Sequence, residues 1–178
     1  WLYYPTFRRL AQKKEHKNIQ GKDRQPHDHN RDYTDEPIYP TIRFLKEFIK
    51  SKPLLYGIDL HCPAKYYGIH DHMSLIQMEA PYNTAQEIFS SYLEKQNQKD
   101  KCSIQYLPKN NIVHGKDWNL GAPPTFSRFC GKSGAKLAFT FEVPYFGHRQ
   151  EPYMPQELRE FGNSFAKALI GYYNDTNN

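Results

Sequence analysis

Apolar and polar positions repeat clearly enough along this chain to name several elements. In "KLAFTFEVP", Leu137, Phe139, Phe141 and Val143 fall on one face and Ala138, Thr140 and Glu142 on the other. That is the period-two signature of a strand with a large apolar face and a face of small or polar residues. "YPTIRFLKEFIK" predicts a helix: Pro40 suits its first turn, and Ile42, Leu45 and Ile49, with Phe44 and Phe48, make a stripe at spacings of three and four. Ser51 to Pro53 ends that helix, and "LLYGIDLH" then reads as a short buried strand, Leu54 to Leu60, closed by His61. A second helix is expected after a cap at Asn83 or Thr84, with Ala85, Ile88, Phe89, Tyr92 and Leu93 on one face. Pro155 opens a last helix striped by Leu158, Phe161, Phe165, Leu169 and Tyr172. A helix followed by a buried strand is the rhythm of an α/β fold.

The intervening stretches are less regular. In residues 1–20, Tyr3, Phe7, Leu10 and Ala11 can line one helical face, with "KKEHK" as a solvated end. Gly21 to Pro37 is polar and without period, hence loop. Cys62 to Tyr82 is irregular and rich in aromatics and histidine. "IQYLP" is a short extended piece, Gly115 to Gly134 reads as loop, and "NDTNN" as a tail from residue 174. No internal repeat or second domain is visible, so residues 1–178 are expected to form one domain.

Charge and cysteine content narrow the function classes. The net charge of +5 is spread along the chain apart from Lys13, Lys14 and Lys17, so a nucleic-acid partner is not expected. No apolar run is long enough to span a bilayer, and no charged-then-apolar leader opens the sequence, so neither membrane partner nor signal peptide is expected. Cys62, Cys102 and Cys130 show no CxxC spacing, which argues against a cysteine-based zinc site. Either all three are reduced or one disulfide leaves a free thiol.

Candidate chemistry gathers at strand ends and in one loop. Glu142 lies near the carboxyl end of its strand, where open α/β sheets bind ligands, and its face carries only Ala138 and Thr140, which leaves space before it. It is a candidate general base; the plainer reading is a strand-end glutamate facing water or an arginine. His61 ends the other strand and shares a face with Asp59, so it is either a zinc ligand oriented by a carboxylate or a histidine satisfied by backbone. "QPHDHNRDY" sets Asn30 beside Arg31, close to Arg24. Planar guanidinium forks suit a substrate carboxylate; salt bridges to Asp28, Asp32 or Asp35 are the alternative.

Taken together these residues resemble the zinc carboxypeptidase family, the carboxypeptidase A-like metallopeptidases. "GKDRQPHDHNRDY" is similar to the family's arginine loop and Asn-Arg pair, in the microbial branch where "PHDHNRD" replaces the commoner "DLNRN". "GIDLHCP" is similar to the strand that delivers the last zinc histidine, and "LAFTFEVPY" to the strand that delivers the catalytic glutamate. The three come in family order between about Gly21 and Tyr145. The resemblance implies a mixed, mostly parallel sheet flanked by helices and one zinc ion with His61 as a ligand. It further implies Glu142 as general base, Arg24 as oxyanion stabiliser, and Asn30 and Arg31 as readers of the terminal carboxylate of a peptide or acyl-amino-acid substrate.

The sequence departs from the family in two places. No HxxE precedes Arg24 to supply the first two zinc ligands; His16 is the only earlier histidine. The expected explanation is that the chain is the C-terminal portion of a catalytic domain, incomplete on its N-terminal side. A member that has lost zinc and only binds carboxylates, and a rebuilt metal site, are the other two. "HRQE" at His148 to Glu151 is read as a chance match, and a site made from the two "HDH" triplets, His27 to His29 and His70 to His72, is not expected. The family's mobile tyrosine is also missing between Asp117 and Cys130, so Trp118 or Phe126 is expected to line the pocket. Arg128 and Lys132 suggest a preference for an acidic C-terminal side chain. A zinc amidohydrolase or deacylase of the same fold is the alternative enzyme.

Overall fold

A computed structural model describes residues 28–63, 71–145 and 152–176. Among them are four α-helices and three strands: α1 (Pro40–Lys50), β1 (Tyr56–His61), β2 (Ser74–Ile76), α2 (Tyr82–Lys99), α3 (Phe126–Lys132), β3 (Leu137–Glu142) and α4 (Pro155–Thr176). The fold is α/β with a small mixed sheet in the order β1-β3-β2. β1 runs parallel to β3, with Tyr56 opposite Leu137 and His61 opposite Glu142. β2 runs antiparallel to β3, with Ser74 opposite Glu142.

Each face of the sheet has its own core. Leu137, Phe139 and Phe141 of β3 and Leu75 of β2 pack with Phe89 and Leu93 of α2 and Phe161, Ala168 and Tyr172 of α4. Phe139 stacks on Phe89 at 5.1 Å and Phe141 meets Phe165 edge-on at 5.2 Å, so the aromatic richness of the sequence is largely spent here. On the other face Ala138 packs with Ile49 of α1, Met78 and Cys130 of α3. Burying a side chain of this size contributes about 1.5–3 kcal/mol, so these two clusters set which way β3 faces. Buried polar groups are tied to backbone. Gln86 accepts from the Met78 N–H at 2.8 Å and donates to the Ala138 carbonyl at 2.6 Å.

The alternation read from "KLAFTFEVP" is the pattern observed, and α1 begins at Pro40 as expected. Several details differ. Phe44 and Phe48 are 71% and 52% exposed, because at 100° per residue they fall opposite Ile42 and Ile49; Lys46 takes the inner position, donating to the Thr34 carbonyl. α2 starts at Tyr82 behind Pro81 with no side-chain cap, so neither Asn83 nor Thr84 caps it, and Ile88 is exposed. Leu158 likewise lies at the solvent edge of α4, whose inner positions are Phe161, Ser164, Ala168 and Tyr172. That helix runs on to Thr176, so most of the expected tail is its last turn. The expected loop Gly115–Gly134 contains α3, capped by Thr125 accepting from the Arg128 N–H; seven residues are too few to show a period. β2 is three residues within the stretch read as irregular. All three cysteines are free, Cys62 exposed and Cys102 and Cys130 buried. Among the described residues no helix is long and apolar enough to cross a membrane.

Candidate functional site

The loop before α1 is held by its aspartates. Asp28 accepts from the Asn30 N–H at 3.1 Å and so opens the turn His29–Arg31. Asp32 is fully buried, and its two oxygens accept the N–H groups of Ile38 and Tyr39 at 3.0 and 2.8 Å. This ties the loop to the start of α1, and the His29 ring stacks on Tyr39 at 3.8 Å. Backbone braced in this way can present a side chain with precision.

That side chain is Asn30, and it joins three separate segments. Its Oδ1 accepts the N–H of Phe126, the first residue of α3, at 2.8 Å. Its Nδ2 donates to Asp59 Oδ2 at 2.8 Å and lies 3.0 Å from His61 Nε2. The other oxygen of Asp59, Oδ1, lies 3.0 Å from the same Nε2. Asp59 and His61 are two residues apart on β1 and so point to one side of the sheet. His61 is the register partner of Glu142 on the neighbouring parallel strand, so the imidazole and the carboxylate leave the same face at the carboxyl ends of β1 and β3.

The space expected before Glu142 is partly filled. α3 covers Ala138, and Ser127 Oγ meets Thr140 Oγ1 at 3.0 Å, so the small side chains of this face receive a helix. Glu142 lies beyond that cover and is 8% exposed. A cleft of about 330 Å³ whose lining does not include Glu142 is bordered by Asn30, Asp59 and His61 on its polar side and by Tyr33, Ile42 and Phe126 on its apolar side, with Ile58 and His29 also lining it. Burial, then the negative charge of Asp59, pushes the Tyr33 phenol up to about 12, so it stands in the cleft wall as a neutral O–H. Burial followed by Asp59 likewise raises the Cys130 thiol to about 12 and leaves it inert as a nucleophile.

Arg31, Trp118 and Arg128 do not line this cleft. Arg31 is exposed and donates from Nη1 to the Asn30 carbonyl at 2.9 Å. Trp118 is 51% exposed and is not part of the cleft wall; Phe126 is. Arg128 is buried in α3, with Nε on Glu79 at 3.1 Å and Nη2 on the Gly121 carbonyl at 3.0 Å. Arg24, His27, His70 and the "HRQE" stretch lie outside the described residues, while His72 is exposed.

The Arg128 pair has a consequence for pH. Burial works to raise the Glu79 pKa, but its own backbone N–H and the Arg128 guanidinium outweigh it and hold the carboxyl below its ordinary value of 4.5. A depressed folded-state pKa contributes stability that is complete above the unfolded value and lost as pH falls through the folded one. Glu79→Gln is therefore expected to lower the melting temperature near pH 7, with the gap to wild type closing as pH falls below the ordinary value of 4.5. Melting curves from pH 2.5 to 7 test this, and a gap that stays constant rules out the ionised pair as its source.

Among the described residues no three His, Cys, Asp or Glu side chains are arranged to hold a metal ion. His61, paired with Asp59, and His29 are the imidazoles at the cleft among the described residues. No family model, curated protein or solved structure matches the chain. Sequence reasoning left Asp32 and Tyr33 without a role in the site. Asp32 carried a usable signal, since an aspartate ahead of a proline-opened helix commonly accepts nearby backbone N–H groups. Tyr33 becomes a wall residue only through packing against Phe126 and Phe129 on a distant segment.

Proposed function

We propose that the chain carries the site of a zinc-dependent carboxypeptidase-type hydrolase on a carboxypeptidase-like α/β fold. The observation that supports this best is the meeting of Asn30, Asp59 and His61, with Glu142 in register beside His61. Three sequence-distant motifs thus converge on the carboxyl ends of two parallel strands, where such sheets bind ligands. An imidazole backed by a carboxylate fits one zinc ligand, and His61 would hold the metal from this chain. Zinc bound there would polarise a scissile carbonyl and acidify water. Glu142 takes a proton from the attacking water and returns it to the leaving amine. Arg31, exposed beside the cleft, pairs with the terminal carboxylate of the substrate, and Arg24 steadies the developing oxyanion.

The apolar wall of Tyr33, Ile42 and Phe126 fits an apolar side chain, whereas the Arg128 fork is taken by Glu79. With zinc supplied, peptides ending in Phe or Leu are expected to lose their last residue about tenfold faster than peptides ending in Glu, and C-terminally amidated peptides are expected to be spared. Faster release of Glu would return specificity to Arg128 and Lys132. Turnover of N-acyl amino acids but not peptides would favour the deacylase. No turnover of either, with no zinc bound, would leave a carboxylate-binding module.

A further inference from the structure

We infer that the Tyr33 hydroxyl reads an uncharged amide of the ligand in the cleft, and so is a specificity-determining residue. The proposal rests on the hydrolase reading only for placing that amide in a peptide.

Most polar side chains of the cleft are spent on the protein itself. Asn30 Oδ1 accepts the Phe126 N–H at 2.8 Å, and its Nδ2 donates to Asp59 Oδ2 at 2.8 Å. Asp59 Oδ1 lies 3.0 Å from His61 Nε2. His29 is exposed, with its ring stacked on Tyr39. Tyr33 is different. It is half-buried in the cleft lining, and no other described residue hydrogen-bonds its hydroxyl. A phenol carries one O–H donor, and a donor partly withdrawn from water gains when a ligand supplies the acceptor. The ring is also held in place. Phe126 meets it edge-on at 5.7 Å and Phe129 lies at 5.7 Å. Directly before it, Asp32 ties the backbone to the start of α1. A side chain fixed in this way can select the position of an acceptor. Charge selects its kind. Asp59 is the charged group that acts most strongly on the phenol. A ligand carboxylate at that point would meet a like charge, whereas an amide carbonyl is neutral. The ligand that fits is therefore an uncharged amide carrying an apolar side chain for the wall of Tyr33, Ile42 and Phe126. A free carboxylate is left to the exposed guanidinium of Arg31.

The test is Tyr33→Phe in the whole chain, which keeps the ring and removes only the hydroxyl. Two probes are titrated by NMR: N-acetylphenylalaninamide, which offers amide carbonyls and an apolar ring, and toluene, which offers the ring alone. The variant is expected to bind the amide about fivefold more weakly than wild type and to bind toluene equally well. Equal affinity of the two proteins for the amide would overturn the proposal. So would an equal loss for both probes, which would make Tyr33 a packing residue only, and so would a wild type that does not bind the amide. Should Tyr33→Phe fail to fold, the Tyr33 13Cζ resonance of wild type carries the test. It is expected to shift on adding the amide and to stay in place with toluene, and a resonance that ignores the amide overturns the proposal equally. No zinc or turnover enters these measurements. A chain that binds the amide through Tyr33 but cleaves no peptide with zinc supplied sinks the hydrolase reading and supports this one.

Discussion

Under the proposed function, Glu142→Gln is expected to reduce hydrolysis of the C-terminal bond by about a thousandfold or more, within reach of what a positioned general base contributes. The change keeps side-chain volume but removes the charge and the ability to take a proton. Glu142 ends β3 between His61 and Ser74, and its backbone partners on both sides are untouched. The loss should therefore fall on kcat, with KM for Phe-ending peptides nearly unchanged, as for an interaction used in the transition state. Zinc content should equal that of wild type, because His61 and not Glu142 is proposed as the ligand. Full activity in the variant would remove Glu142 from the role. Lost activity together with lost zinc would make it a ligand instead.

Strand β3 was legible because both of its faces are diagnostic: large apolar residues on one, small or polar residues on the other. Helix α1 was legible in position but not in which phenylalanines it buries, since Phe44 and Phe48 satisfy a spacing rule while facing solvent. The short elements were hidden for a physical reason. β2 and α3 hold three and seven residues and are fixed by what they pack against, Phe141 in one case and Ala138 with Gly57 in the other. At the site, His61 and Glu142 could be placed at strand ends from pattern alone. Their register, however, depends on a parallel pairing between segments about eighty residues apart, which no local signal encodes. Asn30 was singled out for the right neighbourhood, but its three partners come from β1 and α3 and are set by tertiary packing.

Gly57→Ala is expected to destabilise the protein by about 3 kcal/mol, at the upper end of ordinary overpacking costs. A Cβ at Gly57 would stand 2.2 Å from Cys130 Cβ and 2.7 Å from its Sγ. Cβ atoms cannot rotate away, so α3 itself must lift from β1. Lifting α3 pulls the Phe126 N–H from Asn30 and Ser127 from Thr140, so the cleft should loosen along with the core. In a chain of this size the cost corresponds to about 6–12 °C in melting temperature. The contact is specific enough to predict rescue. Cys130→Ala keeps the offending Cβ and should restore little in the Gly57→Ala background. Cys130→Gly removes it and should restore part of the loss, short of full recovery because glycine in a helix costs about 1 kcal/mol. A Gly57→Ala protein that melts with wild type would mean that α3 does not lie against β1 at this distance. Equal behaviour of the two double variants would assign the strain to a contact other than the Cβ pair. The same glycine explains why a strand interior tolerates so poor a strand former: it marks the place where a helix backbone approaches the sheet closely. That approach brings the amide of Phe126 within reach of Asn30, and so builds the wall on which the cleft depends.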